Sequence, residues 1–86
     1  MITIKIEEYD AENKSLIITK GEKNLFGLVS IMQFEEEMEY FGISIVKKSI
    51  NGKKGYIFSK NEDENLVFEE TKRFLNDHNV ENLDAF

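Results

Sequence analysis

The chain has no cysteine, no proline, no tryptophan and a single histidine, His78. Without a thiol there is no disulfide framework, no zinc site built on cysteine and no cysteine nucleophile. No apolar run reaches the roughly 18 residues that a membrane-spanning helix needs. The first eight residues alternate apolar and polar and carry no basic leader, so no signal peptide is expected and a cytoplasmic location is. The motifs of common catalytic sites are also missing: no G-x-S-x-G, no G-x-x-x-x-G-K-[ST], no H-E-x-x-H and no D-x-[DN]-x-[DN]-G calcium loop. The five glycines, Gly21, Gly27, Gly42, Gly52 and Gly55, are scattered as turn and cap residues and form no phosphate-cradling loop. His78 falls on the apolar side of the last predicted helix, near its C-terminus, with no nucleophile placed beside it. The expectation is a protein that is not an enzyme, with no catalytic residue, no cofactor and no metal.

What is present is enough for one folded unit. The 86 residues are 41% hydrophobic and include seven Phe and three Tyr. Each aromatic side chain buries roughly 150–250 Å², so the chain is expected to fold as a single small domain over 1–86. A domain this size buries only about 60–65% of its unfolded surface, which leaves little room for a walled cleft and favours function on an exposed face.

Ile2, Ile4 and Ile6 alternate with Thr3, Lys5 and Glu7, the period of a half-buried strand. Asp10 to Lys14 is turn-like, and Ser15 to Lys20 reads as the returning strand. Leu25 to Phe41 does not fit one helix. Leu25, Leu28, Val29 and Met32 cluster on one side, and Ile31, Phe34, Met38 and Phe41 roughly 130–150° away. Ser30 and Gln33 have capping-box spacing, and Gly27 is costly inside a helix, which favours a short strand over 25–29 followed by a helix from Ile31 to Phe41. Asn24 as an N-cap keeps a single longer helix open. Gly42 is the expected C-terminal stop. Asn51-Gly52 between Ile43–Ile50 and Lys53–Ser59 predicts a two-residue hairpin. That loop pairs Val46 with Ile57 and Ile45 with Phe58, with Ile45, Phe58, Ile43 and Tyr56 facing inward. Asn61 followed by Glu64 is read as the next helix start. Val67, Phe68, Thr71, Phe74, Leu75 and His78 then form its apolar stripe. The tail through Leu83 and Phe86 either docks or frays.

The predicted class is α+β: a two-layer, antiparallel sheet packed against two helices, approximately ββαββα, with an extra short strand at 25–29 as the open alternative. Residues 2–41 and 43–78 both read as hairpin then helix. Lys14–Lys20 aligns loosely with Lys54–Lys60, which makes an internal repeat conceivable.

Charge is segregated along the chain. Residues 1–42 carry nine acids and four bases, residues 43–60 five Lys and no acid, and residues 61–86 eight acids and two bases. Glu35, Glu36, Glu37 and Glu39 are expected on the solvent side of the first helix, and Glu62, Asp63, Glu64, Glu69 and Glu70 on that of the second. Carboxylates in that number exceed what helix stability requires and can imitate the phosphate row of a nucleic acid. The functional expectation is a small acidic binding or inhibitor protein. Glu35, Glu36, Glu39, Glu62, Asp63, Glu69 and Glu70 would occupy the basic groove of a protein partner, in the manner of a phage-encoded inhibitor of a nuclease or host defence protein, or of an immunity protein. The alternative is a nucleic-acid-binding or accessory domain that uses Lys47, Lys48, Lys53 and Lys54 on the hairpin, where the bland role of Lys is to keep an edge soluble. A third reading is a self-associating module that pairs through an edge strand. Either a monomer or a homodimer is compatible with the sequence, and no membrane contact is expected.

Overall fold

A computed structural model of the chain describes residues 2–10, 12, 15–50, 52–58, 61–81 and 83–86. The elements run β1 (Ile2–Asp10), β2 (Ser15–Lys20), β3 (Lys23–Leu28), α1 (Ile31–Tyr40), β4 (Ile45–Ile50), β5 (Lys53–Phe58) and α2 (Glu64–Asp77), with a closing 3-10 turn at Leu83–Ala85. The five strands form one antiparallel sheet in the order β3-β2-β1-β5-β4. The fold is α+β, as expected, and the ambiguous segment is a strand followed by a helix. Strand β3 pairs along the whole of β2, Leu25 opposite Ile18. The chain then leaves one edge of the sheet at Leu28 and re-enters at the other edge as β4, so α1 carries it across one face.

Alternation decides which side chains meet the helices. Ile2, Ile4 and Ile6 of β1, Leu16 and Ile18 of β2, Leu25 of β3, and Tyr56 and Phe58 of β5 are all buried on that face. Phe34 of α1 is the keystone, with its ring 5.4 Å from Tyr56 below and 5.3 Å from Phe74 of α2 beside it. The hairpin register is the expected one, Val46 with Ile57 and Ile45 with Phe58, and Ile43, Tyr56 and Phe58 face inward. Gly52 takes φ +76° in the turn. Asn51 lies outside the described residues, as do Lys14, Ser59 and Lys60 of the loosely aligned strings.

Ser30 caps α1, its Oγ accepting the Gln33 N–H. The cap of α2 corrects the sequence reading: it is Asp63, not Asn61, whose Oδ1 accepts from the N–H groups of Asn65 and Leu66. A charged cap two residues later satisfies two orphan donors and meets the positive end of the helix. Both helices end in the same motif. After α1, Gly42 at φ +73° lets the Ile43 N–H reach back to the Met38 carbonyl. After α2, Asn79 at φ +57° lets the Val80 N–H reach back to the Leu75 carbonyl. In each case the residue after the left-handed position is buried, Ile43 and Val80, the hydrophobic contact that accompanies this type of stop.

The tail docks. Val80 lies so close over Gly27 that a Cβ there would stand 2.7 Å from Val80 Cγ2 and 3.0 Å from its Cα. Absence of a side chain at Gly27 is therefore a packing requirement of the tail. The Glu81 N–H donates to the Phe26 carbonyl, so the tail covers part of the β3 edge. The Lys20 ammonium donates to the Phe86 carbonyl at 2.7 Å and lies 4.0 Å above the Phe68 ring. Among the described residues, no helix is long and apolar enough to cross a membrane.

Candidate functional site: the acidic helix layer

The two helices lie side by side and antiparallel. Gln33 near the start of α1 meets His78 at the end of α2, its Oε1 3.2 Å from His78 Nε2. At the other end, the Arg73 guanidinium lies over the Phe41 ring. Glu62, just before α2, accepts the Ser44 N–H just after α1. Each helix therefore has a face on the sheet, a flank toward its neighbour and a solvent side. Neighbouring carboxylates in the sequence land on different ones.

On α1, Phe34 and Met38 point into the core. At 100° per residue Glu35 and Glu37 stand about 80° from the middle of that apolar stripe, one on each side, and Glu36 and Glu39 about 180° and 120° from it. The structure follows this wheel, and it corrects the expectation that all four face solvent. Glu35 is half-buried and fully engaged. The buried Tyr56 hydroxyl donates to its Oε1 at 2.5 Å, and Lys47 Nζ lies 3.0 Å from its Oε2. Partial burial alone would raise the Glu35 pKa. The Tyr56 and Lys47 hydrogen bonds, with the charges of Lys47 and Lys54, outweigh burial and hold it below the ordinary value. Burial, and next the hydrogen bond to Glu35, push the Tyr56 phenol well above its usual range, so it stays a neutral donor. Tyr56 is thus a core residue with a polar handle and not a stacking platform.

Glu37 lies on the opposite flank, facing α2. One of its oxygens is buried with no hydrogen-bond partner. Burial raises its pKa first, and the nearby charges of Asp77 and Glu70 raise it further, against smaller opposing effects from His78 and Arg73.

On α2, Glu70 is the second correction. Placed on the solvent side by the sequence reading, it is 5% exposed. It stands only about 40° from Phe74 on the helical wheel, whereas Glu69 is about 140° away. Glu70 Oε1 pairs with Arg73 at 3.4 Å, and its other oxygen is buried without a partner. Glu69 is exposed. Asp63 is exposed but serves as the α2 cap, and Glu62 is half-buried and bonded to the Ser44 amide.

The seven predicted contact residues therefore separate into three groups. Glu36, Glu39 and Glu69 are exposed and, among the described residues, carry no hydrogen bond or ion pair; Glu64 at the start of α2 joins them. Asp63 keeps an exposed carboxylate while it caps. Glu35, Glu62 and Glu70 spend their oxygens inside the molecule. Glu39 borders a shallow open groove shared with Glu35, Gly42, Ile43, Ser44 and Lys47. The only bases on the two helices are Lys72 and Arg73.

The four hairpin lysines are divided by strand alternation. Lys47 and Lys54 share the inward parity of Tyr56 and Phe58, at the rim of the helix layer. Lys48 and Lys53 project from the opposite, uncovered face. Lys47 pairs with Glu35, and Lys53 with Glu7 across β1 and β5. They do not form one four-ammonium patch. His78 is structural in its contacts, Nδ1 donating to the Phe74 carbonyl at 2.8 Å and the ring stacked 4.2 Å from Phe74. Among the described residues, no group of three His, Cys, Asp or Glu side chains is arranged to hold a metal ion. Comparison with known protein families, with curated proteins and with solved structures finds no match to this chain.

Proposed function

We propose that the protein is a non-enzymatic binding protein whose working surface is the outer side of the helix layer, presenting carboxylates to a partner protein with a basic groove. The observation that carries this reading is the display of Glu36, Glu39, Glu64 and Glu69 on the solvent sides of two antiparallel helices, without bonded partners among the described residues and with Lys72 and Arg73 as the only bases on the helices themselves. Uncompensated like charges on a helix repel and weaken it. A field of one sign also steers a cationic partner into contact and accelerates association. Glu39 at the rim of the Glu35–Ser44 groove is placed to receive a guanidinium. The reading belongs to the nucleic-acid-mimic type: an inhibitor or immunity protein that fills the phosphate-binding groove of a nuclease, a defence protein or another nucleic-acid-binding protein. Its contact set is Glu36, Glu39, Asp63, Glu64 and Glu69, with Glu35, Glu62 and Glu70 holding the scaffold behind it.

The test uses the full chain and a quadruple variant, Glu36→Gln, Glu39→Gln, Glu64→Gln and Glu69→Gln, as baits in the source cell lysate at low and moderate salt. The expected result is a basic nucleic-acid-binding protein retained by the native chain, lost by the variant and weakened as the Debye length shrinks from about 30 to about 8 Å. That captured protein should release duplex DNA or RNA when the chain is added. A captured partner that binds nucleic acid and this chain together, or one held equally by the variant, refutes the proposal.

A further inference from the structure

The two edges of the sheet are finished differently. Both two-residue loops close on a hydrogen-bonded pair, Lys20 with Lys23 and Ile50 with Lys53. By alternation from those pairs, the backbone groups of Asn24, Phe26 and Leu28 turn outward on β3, and those of Ile45, Lys47 and Ser49 turn outward on β4. The tail confirms the phase, because the β3 carbonyl that accepts the Glu81 N–H is that of Phe26. β4 is the other edge, and among the described residues nothing bonds the outward N–H and carbonyl groups of Ile45, Lys47 and Ser49.

Side chains follow the same alternation. Ile45 and Lys47 face the helix layer and line the Glu35–Ser44 groove, which runs beside this edge. A residue set opposite either of them by an added strand would point into that groove. Val46 points to the uncovered face and is 63% exposed. Charge is graded along the edge. Glu39 and Glu62, with the negative end of α1, lie at the Ser44 end. Lys47 and Lys48 lie toward the turn, followed by Lys53 and Lys54 on β5.

We infer that the β4 edge binds an extended segment of a partner protein, which joins the sheet as a sixth, antiparallel strand and reads acidic, apolar, basic from its N- to its C-terminal side. The acidic residue stands opposite Lys47, the apolar one opposite Val46, and the basic one opposite Ile45, against Glu39. Backbone hydrogen bonds supply the attachment, and the three side chains supply the order. Lysine on an edge strand ordinarily repels such addition. Here Lys47 is already held by Glu35 at 3.0 Å, yet it is 63% exposed and has Lys54 as a diagonal neighbour, so the turn end stays cationic and accepts one more carboxylate. A second copy is disfavoured as the occupant. Two β4 strands meeting about a two-fold axis would bring together the C-terminal ends of two α1 helices, each with four Glu and no Lys or Arg. The inference goes beyond the proposed function: of that contact set only Glu39 borders this groove.

The test is a nuclear magnetic resonance titration of the isotope-labelled full chain with a cyclised hairpin peptide whose free strand reads Thr-Glu-Val-Arg-Thr, a form that holds the strand extended in advance. The expected result is slowed hydrogen exchange at the amides of Ile45, Lys47 and Ser49, with Val46 and Lys48 unchanged because they already bond β5. The same peptide with Glu and Arg exchanged should bind about fivefold more weakly. Glu39→Gln should weaken the original peptide about threefold. Ser49→Pro, which removes one outward N–H, should weaken it about fivefold, and Ser49→Ala should not. Glu36→Gln and Glu69→Gln, which test the carboxylate surface, should leave this binding unchanged. Absence of the alternating protection at about 1 mM peptide overturns the inference, and so does equal binding of the two peptides. Slowing of the same three amides in the chain alone as its concentration rises also overturns it, and assigns the edge to a second copy.

Discussion

The two faces of the sheet are made from the same strands, and neighbouring residues of the same type meet opposite fates on them. Ile18 is buried beneath the helices, while Ile17 lies half-buried on the uncovered face opposite Phe26. The helices repeat the lesson with charge: Glu36 and Glu69 are in water, and Glu35 and Glu70, one residue away, are bonded inside the molecule. Geometry at one-residue resolution, more than composition, separates scaffold from available surface. The covered side concentrates stability, and the solvent sides hold what is left for contact.

Breaking the covered side should have the largest effect. Phe34→Ala removes the ring that joins Tyr56 to Phe74 and should cost about 3–5 kcal/mol in urea denaturation. A cost below about 1 kcal/mol would mean that the three-ring junction is not the centre of the core. Gly27→Ala should come next, at about 1–3 kcal/mol, because the new methyl meets both the side chain and the backbone of Val80. Hydrogen exchange of the Glu81 amide should rise with it, since that N–H bonds the Phe26 carbonyl. Unchanged exchange would show that the tail moves without loosening.

Glu35 and Glu37 sharpen the contrast, because their shifts have opposite sign. The Glu35 pKa is depressed in the fold, so its contribution is present at neutral pH and lost as pH falls through its folded value. Glu35→Gln should therefore destabilise by about 1–2 kcal/mol at neutral pH, and the gap should close only as pH falls through the depressed folded pKa of Glu35. The Glu37 pKa is raised in the fold, so its contribution is complete at low pH and is lost as pH rises through its folded value. Glu37→Gln should stabilise at neutral pH by up to about 1 kcal/mol, with no gain near pH 3. Parallel pH–stability curves for the two variants would refute the assignment. The smallest effect belongs to the open face. Val46→Thr, measured near 1 µM, should change chain stability by no more than about 0.5 kcal/mol.

Much of the architecture was legible. The Ile2–Ile4–Ile6 alternation, the Ser30–Gln33 cap, the stop at Gly42 and the register set by the two-residue hairpin all express local rules of period and hydrogen bonding. Glu35, Glu37 and Glu70 were misplaced because each borders an apolar stripe. A helical wheel gives that angle, but it cannot show whether a neighbouring helix or a tyrosine hydroxyl occupies the flank. The α2 cap was missed by two residues because Asn61 and Asp63 are both good caps and local spacing does not choose between them.

By itself the amino-acid order determined the periods, the turns, the α+β class and the excess of negative charge, since these depend on contacts within a few residues. Only the assembled structure decided which carboxylates remain in water, that the four hairpin lysines divide between two faces, that the tail closes over Gly27, and that Tyr9, Phe26, Leu28 and Val46 stay exposed on the uncovered sheet face. Those outcomes depend on groups distant in the chain meeting at fixed separations, which the burial of Phe34, Tyr56 and Phe74 enforces and local preference does not.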